Sequence, residues 1–93
     1  MSPAPKSVTV TIVNLRGLHA RASAKFCAVA GSYDAMVTVT RGDETVNGLS
    51  IMGLMTLGAS PGTEIVISAS GPQAAEALDT LAKLVADRFG EVE

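Results

Sequence analysis

His19 is the only histidine in the chain, and Arg21 stands two positions after it. A neutral imidazole nitrogen is a good nucleophile near neutral pH. A guanidinium offers a planar fork of donors that can neutralise a phosphoryl group in flight or at rest on the ring. Phosphoryl transfer asks mainly for positioning and charge stabilisation. A nucleophile, an arginine and a helix start therefore amount to half of a transfer site, with the other half left to a second protein. The spacing alone is met more readily by an exposed or capping histidine without chemistry.

Other chemistries find less support. Zinc needs three or four ligands, and only Cys27 could join His19 as a good soft or borderline donor, so no metal is expected. A serine hydrolase built on Ser23 and His19 has no third residue at a recognisable spacing. Cys27, the single cysteine, cannot close an intramolecular disulfide and reads as a small hydrophobe in a reducing compartment.

Charge is unevenly placed. Residues 1–33 hold Lys6, Arg16, Arg21 and Lys25 and no acid, whereas the remainder carries a surplus of acids that brings the chain to −2. Three of those cations flank His19, which creates a local positive field for an anionic group or an acidic partner; chance in a short chain gives the same pattern.

The elements that must position these residues follow from periodicity. Val8, Val10 and Ile12 alternate with Thr9, Thr11 and Val13, which predicts a strand over 7–13. After a loop at 14–17, helical spacing of Ala22, Phe26, Val29 and Ala30 predicts a helix over 20–30, stopped by Gly31. His19 then sits at the helix start, near backbone N–H groups that bind anions. Val37 and Val39, the pair Gly42-Asp43 and the segment Glu44–Asn47 read as a hairpin. Ser50 is placed as the N-cap of a two-turn helix, Ile51–Leu57, weakened by Gly53. Ser60-Pro61-Gly62 is a turn, and Glu64–Ser68 the last strand. Ser70 or Gly71 is expected to cap the longest helix, with Pro72 in its first turn and Ala74, Ala77, Leu78, Leu81 and Val85 tracing one face to Phe89.

The order βαββαβα predicts an α+β fold of two layers, an antiparallel sheet covered on one face by helices. Periodicity leaves the strand order open. A chain of 93 residues is the size of one domain (1–93, ordered over about 7–89 behind a few flexible residues). With no Trp, one Tyr and two Phe it lacks the platforms of base-stacking nucleic-acid binders. No apolar run is long enough to span a bilayer and residues 1–7 lack a signal peptide's apolar centre, so a cytoplasmic protein without membrane insertion is expected.

Gly17-Leu18-His19-Ala20-Arg21, then Ser50-Ile51-Met52 and Leu57-Gly58, with the same element order over about 7–89, resemble HPr, the phosphocarrier of the bacterial phosphoenolpyruvate-dependent phosphotransferase system. The resemblance implies an open-faced β-sandwich: four antiparallel strands in the order 1-4-2-3 with three helices on one side. It implies a stoichiometric carrier rather than an enzyme, a monomer without cofactor. His19 would be phosphorylated on Nδ1 by enzyme I and pass the group to an enzyme IIA of sugar, mannose or nitrogen type. Arg21 would stabilise the phosphate, and Ser50 would be the regulatory serine of an HPr kinase/phosphorylase. Leu18, Ala20, Lys25, Ile51, Met52 and Met55 would form the partner surface. Two of Ile51, Met52 and Met55 cannot face the core along with Leu54 and Leu57, and methionine suits a face that must fit several partners. Ser50 is equally an ordinary N-cap.

One residue departs from the pattern: the family has proline after the arginine, where this chain has Ala22. Arg21-Ala22-Ser23-Ala24-Lys25-Phe26 is similar to proteobacterial variants that use the relay for regulation, and Gly71-Pro72-Gln73 to the nitrogen-related branch. Two other classes remain open at this stage. One is a regulatory module acting by contact alone, as the family's carbon-repression paralogue does after losing its histidine. The other is a small acylphosphatase-like enzyme using Arg16 and Asn14.

Overall fold

The computed structural model describes residues 5–93; of the flexible lead expected ahead of the first strand, residues 1–4 lie outside them. The elements are β1 (Lys6–Thr11), α1 (Ala20–Gly31), β2 (Met36–Arg41), β3 (Glu44–Asn47), α2 (Ile51–Thr56), β4 (Glu64–Ser70) and α3 (Ala74–Ala86), followed by a 3-10 turn at Arg88–Gly90. The strands form one antiparallel sheet in the order β1-β4-β2-β3. This is the open-faced sandwich expected from the resemblance, a fold that periodicity could name only as two-layered.

Strand side chains alternate between faces, and the register aligns apolar residues from strand to strand. Val8 pairs with Ile67, Ile67 with Val39, and Val39 with Val46, so one row crosses the whole sheet on a single face. Val37, Val39, Ile65, Ile67 and Ala69 on that face are buried, together with Phe26 of α1, Leu54 of α2, and Leu78, Leu81 and Val85 of α3. The opposite face keeps Thr9 exposed and Thr38 and Thr40 half-buried. All three helices therefore share one layer, and among the described residues no helix is long and apolar enough to cross a membrane.

Several boundaries differ from the sequence reading. β1 ends at Thr11; Ile12 is buried and still exchanges backbone bonds with the facing turn, donating to Thr63 O at 2.9 Å and accepting from Gly62 N at 2.8 Å. β4 runs on through Ser70, because Ala69 pairs with both Lys6 and Val37 and is fully buried. Ser70 is thus a strand residue and caps nothing. Gln73 takes the cap position of α3 without a side-chain capping bond. Its backbone N–H donates to Asp34 O at 2.9 Å and its Oε1 accepts from Asp34 N at 2.7 Å, which ties the start of α3 to the loop after α1. α3 ends at Ala86 rather than at Phe89. Phe89 is buried, but from a left-handed backbone (φ 54°) beyond the helix.

Candidate functional site

His19 is the N-cap of α1. Its backbone is extended (φ −76°, ψ −178°), its carbonyl accepts the first helical bond from Ser23 N at 2.9 Å, and its Nδ1 accepts from Arg21 N at 3.3 Å. The N–H groups of Ala20 and Ala22 meet no acceptor among the described residues, so the helix start presents unpaired donors beside the ring. Where proline would remove one donor, Ala22 keeps it and buries its methyl in the core.

The loop that delivers His19 is fixed from below. Gly17 has a left-handed backbone (φ +62°) and lies so close to the Ala59 carbonyl that a β-carbon there would collide with it. Leu18 N donates to that same carbonyl at 3.0 Å. Leu18, expected on the partner surface, has a side chain only 5% exposed and belongs instead to the core beneath the histidine. Ser23 is buried too and donates through Oγ to Leu18 O at 3.2 Å, which spends its hydroxyl on the loop and leaves it no role as a nucleophile.

The other ring nitrogen has a partner that the sequence reading missed. His19 Nε2 is hydrogen-bonded to Oε2 of Glu91, a residue 72 positions away, and both side chains are mostly shielded from solvent. Asn14 donates through Nδ2 to Glu91 Oε1 at 3.0 Å and to Gly17 O at 2.9 Å, while its own Oδ1 is buried without a partner among the described residues. Burial pushes the Glu91 carboxyl up, but hydrogen bonds from Asn14 and His19 and the charges of His19 and Arg21 outweigh it and hold the group below the ordinary glutamate value.

Glu91 follows an unusual stretch of backbone. Arg88 (φ 57°) and Phe89 (φ 54°) are consecutive non-glycine residues in the left-handed region, and each conformation costs about 1–3 kcal/mol. Burial of Phe89, a 2.6 Å bond from Lys25 Nζ to Phe89 O and a 2.9 Å bond from Leu15 N to Glu93 O hold the segment in place. Leu15, Arg16, Arg21, Lys25 and residues 90–93 line a cleft of about 380 Å³ here. The basic segment seen in sequence therefore faces the acids of the chain's last residues. Acids after Gly90, set against a basic first third, were the only sequence signal for this contact.

Ser50 caps α2 as expected, with φ −101° and ψ 105°, its Oγ accepting from Gly53 N at 2.9 Å. Gly53 lets α2 sit against β3, since a β-carbon there would lie 2.9 Å from Ser50 Oγ and 3.1 Å from Val46 Cβ. Leu54 and Leu57 face the core, and Ile51, Met52 and Met55 are left exposed, as the division of the segment predicts. α2 leads into Ala59, the support of Gly17 and Leu18, so this apolar face and the histidine loop are mechanically joined. Ala20 is exposed; Lys25 is exposed as well, with its ammonium group on Phe89 O. Arg16 and Arg21 are exposed. Asn14 is fully buried with its amide spent on Gly17 and Glu91, so the acylphosphatase reading lacks its free asparagine.

A histidine held by Nδ1 at a helix start, with an arginine two residues on, also marks a known family. The family model described as "PTS HPr component phosphorylation site" matches residues 6–87. The chain belongs to the HPr family of phosphotransferase-system phosphocarriers. The phosphocarrier protein HPr of Cupriavidus necator is 46% identical over 83 residues, covering 89% of this chain and 93% of its own. The phosphocarrier protein NPr of Shewanella violacea is 38% identical over 82 residues, covering 88% and 90% respectively. A crystal structure of HPr from Thermoanaerobacter tengcongensis superposes with a TM-score of 0.90 at 40% identity, covering 95% of this chain and 99% of that one.

Proposed function

We propose that this HPr-family chain is a stoichiometric carrier that accepts a phosphoryl group on His19 Nδ1 from enzyme I and delivers it to an enzyme IIA protein. The observation that carries this reading is the hydrogen-bond pattern of the ring. Nδ1 accepts the Arg21 N–H at 3.3 Å, so it bears the ring's lone pair, at the start of α1 beside the unpaired N–H groups of Ala20 and Ala22. In the forward step that lone pair forms an N–P bond while the phosphorus bond to the donor breaks, its electron pair leaving with the donor; delivery reverses the roles. The helix start and the Arg21 guanidinium supply positive charge for the phosphoryl oxygens. No second nucleophile or base is needed, because the partner supplies the other reacting atom.

Ser50 is the regulatory position in this reading. Phosphate at the cap of α2 is favourable for its own helix and places negative charge beside Ile51, Met52 and Met55, on the apolar face that receives partners. Incubation with phosphoenolpyruvate and enzyme I is expected to add one acid-labile phosphate, detected by intact-protein mass spectrometry. His19→Ala abolishes it. A label that survives this substitution refutes the assignment.

A further inference from the structure

We propose that Glu91 is a positioning residue for His19: its carboxylate keeps the ring proton on Nε2 and thereby leaves Nδ1 unprotonated, its lone pair available to phosphorus once the 3.3 Å contact from Arg21 N opens. The inference rests on the carrier reading above and deepens it. An imidazole that accepts at Nδ1 and faces a carboxylate oxygen at Nε2 has one neutral form that satisfies both contacts, with the hydrogen on Nε2. A carboxylate that holds a histidine in its working tautomer is a recurring device in nucleophilic sites.

The carboxylate is itself held from three directions. Asn14, fully buried and anchored on Gly17 O, donates to Oε1. The left-handed residues Arg88 and Phe89 turn the chain back from α3, and Glu91 N closes that turn on Arg88 O at 2.9 Å. Lys25 holds the Phe89 carbonyl, and Leu15 N holds Glu93. Backbone in so sparsely populated a region persists only where its surroundings over-determine it, and here the result is one oxygen placed on one ring nitrogen.

Charge balance gives the contact a second use. When Nδ1 bonds to phosphorus, the ring gains a positive charge with the proton still on Nε2. The Glu91 carboxylate neutralises that charge, or accepts the proton and returns it when the phosphoryl group departs to the next protein. Arg21 and Lys25 on α1, Arg16 on the preceding loop and Glu93 are the other charged groups around this cleft. Of the two acids, only Glu91 is bonded to the ring.

The test uses the full chain with Glu91→Ala, Glu91→Gln and, as a control, Glu93→Gln. In the wild type, ¹⁵N NMR of the His19 ring is expected to show a single tautomer protonated at Nε2. Glu91→Ala mixes the tautomers and slows phosphorylation by enzyme I roughly tenfold or more. Glu91→Gln keeps an acceptor oxygen and removes the charge. It moves the acid limb of phosphohistidine hydrolysis about one unit to lower pH, because a protonated phospho-ring loses its counter-charge. Glu93→Gln leaves the tautomer and the rate at wild-type values and moves the pH limb by less than Glu91→Gln does. Glu91 variants with the wild-type ¹⁵N pattern, rate and pH limb overturn the inference. A wild type that takes no phosphate, or a His19→Ala variant that still does, overturns the carrier reading instead.

Discussion

Gly17→Ala tests whether the histidine loop is held by a close approach or merely by a favourable turn. Gly17 has φ +62°, and an added β-carbon collides with the Ala59 carbonyl, with Ser60 Cα a further 3.2 Å contact. A left-handed alanine costs about 1–2 kcal/mol by itself. Relieving the collision pushes Ala59 O away from Leu18 N, its 3.0 Å partner, and a buried N–H left unsatisfied costs about 1–3 kcal/mol more. The expected total is about 2–5 kcal/mol. Gly62 supplies the comparison: it follows Pro61 in a tight turn with φ +88°, and a β-carbon there would meet nothing within 4 Å. Gly62→Ala therefore carries the conformational cost alone, about 1–2 kcal/mol. At about 4–8 °C per kcal/mol for a domain of this size, thermal unfolding followed by far-UV circular dichroism is expected to lose roughly 8–40 °C for Gly17→Ala and about 4–16 °C for Gly62→Ala. The His19 and Arg21 amide resonances shift in the first variant and stay in place in the second. Equal melting losses in the two variants refute the argument that the Ala59 contact carries the loop.

Two further outcomes follow from the site. Ser50→Ala removes the 2.9 Å bond to Gly53 N and is expected to cost about 1 kcal/mol, read as a lower urea midpoint with faster amide exchange at Gly53 and Leu54; an unchanged midpoint contradicts the capping role. Glu91 has a folded-state carboxyl below its ordinary value, so its contribution to stability is complete above the ordinary glutamate range and is lost as pH falls through the lower folded value. A ¹³C carboxyl titration of Glu91 should give that depressed midpoint, with loss of the Asn14 side-chain amide contact over the same interval; titration at or above the ordinary value refutes it.

The parts of the fold legible in the sequence are those whose signal is local. Alternating Val37 and Val39, and Ile65 and Ile67, mark strands whose one face is buried, and Ser50 announces α2 because a cap acts within three residues. The strand order came with the family resemblance. Where partners distant in sequence decide the outcome, local reading fails. The expected strand stops at Ser68 with Ser70 or Gly71 as the next helix cap, yet β4 continues to Ser70 because Lys6 and Val37 pair with Ala69 from either side. Leu18 sits in a motif expected at the surface, and only the approach of Ala59 shows that it must point inward. At the site, the type and spacing of His19 and Arg21 raise phosphate chemistry only as a candidate, and the family resemblance gives it weight. Glu91 was not legible, since nothing within a helical turn of either residue predicts a contact across 72 positions.

The arrangement also explains why a segment with so many cations near the histidine does not need an outside anion to hold its shape. Arg16, Arg21 and Lys25 surround a cleft into which the chain folds its own Glu91 and Glu93. One acid is bonded to the ring, and the backbone at the other is bonded to Leu15. The helix start keeps the unpaired N–H groups of Ala20 and Ala22, which in the proposed carrier still favour an incoming phosphoryl group. Because Glu91 lies on Nε2 and the helix donors lie beside Nδ1, the carboxylate and the phosphoryl group of the proposed transfer would occupy opposite edges of the ring. The same imidazole can then carry both, which a carboxylate placed at the helix start would prevent.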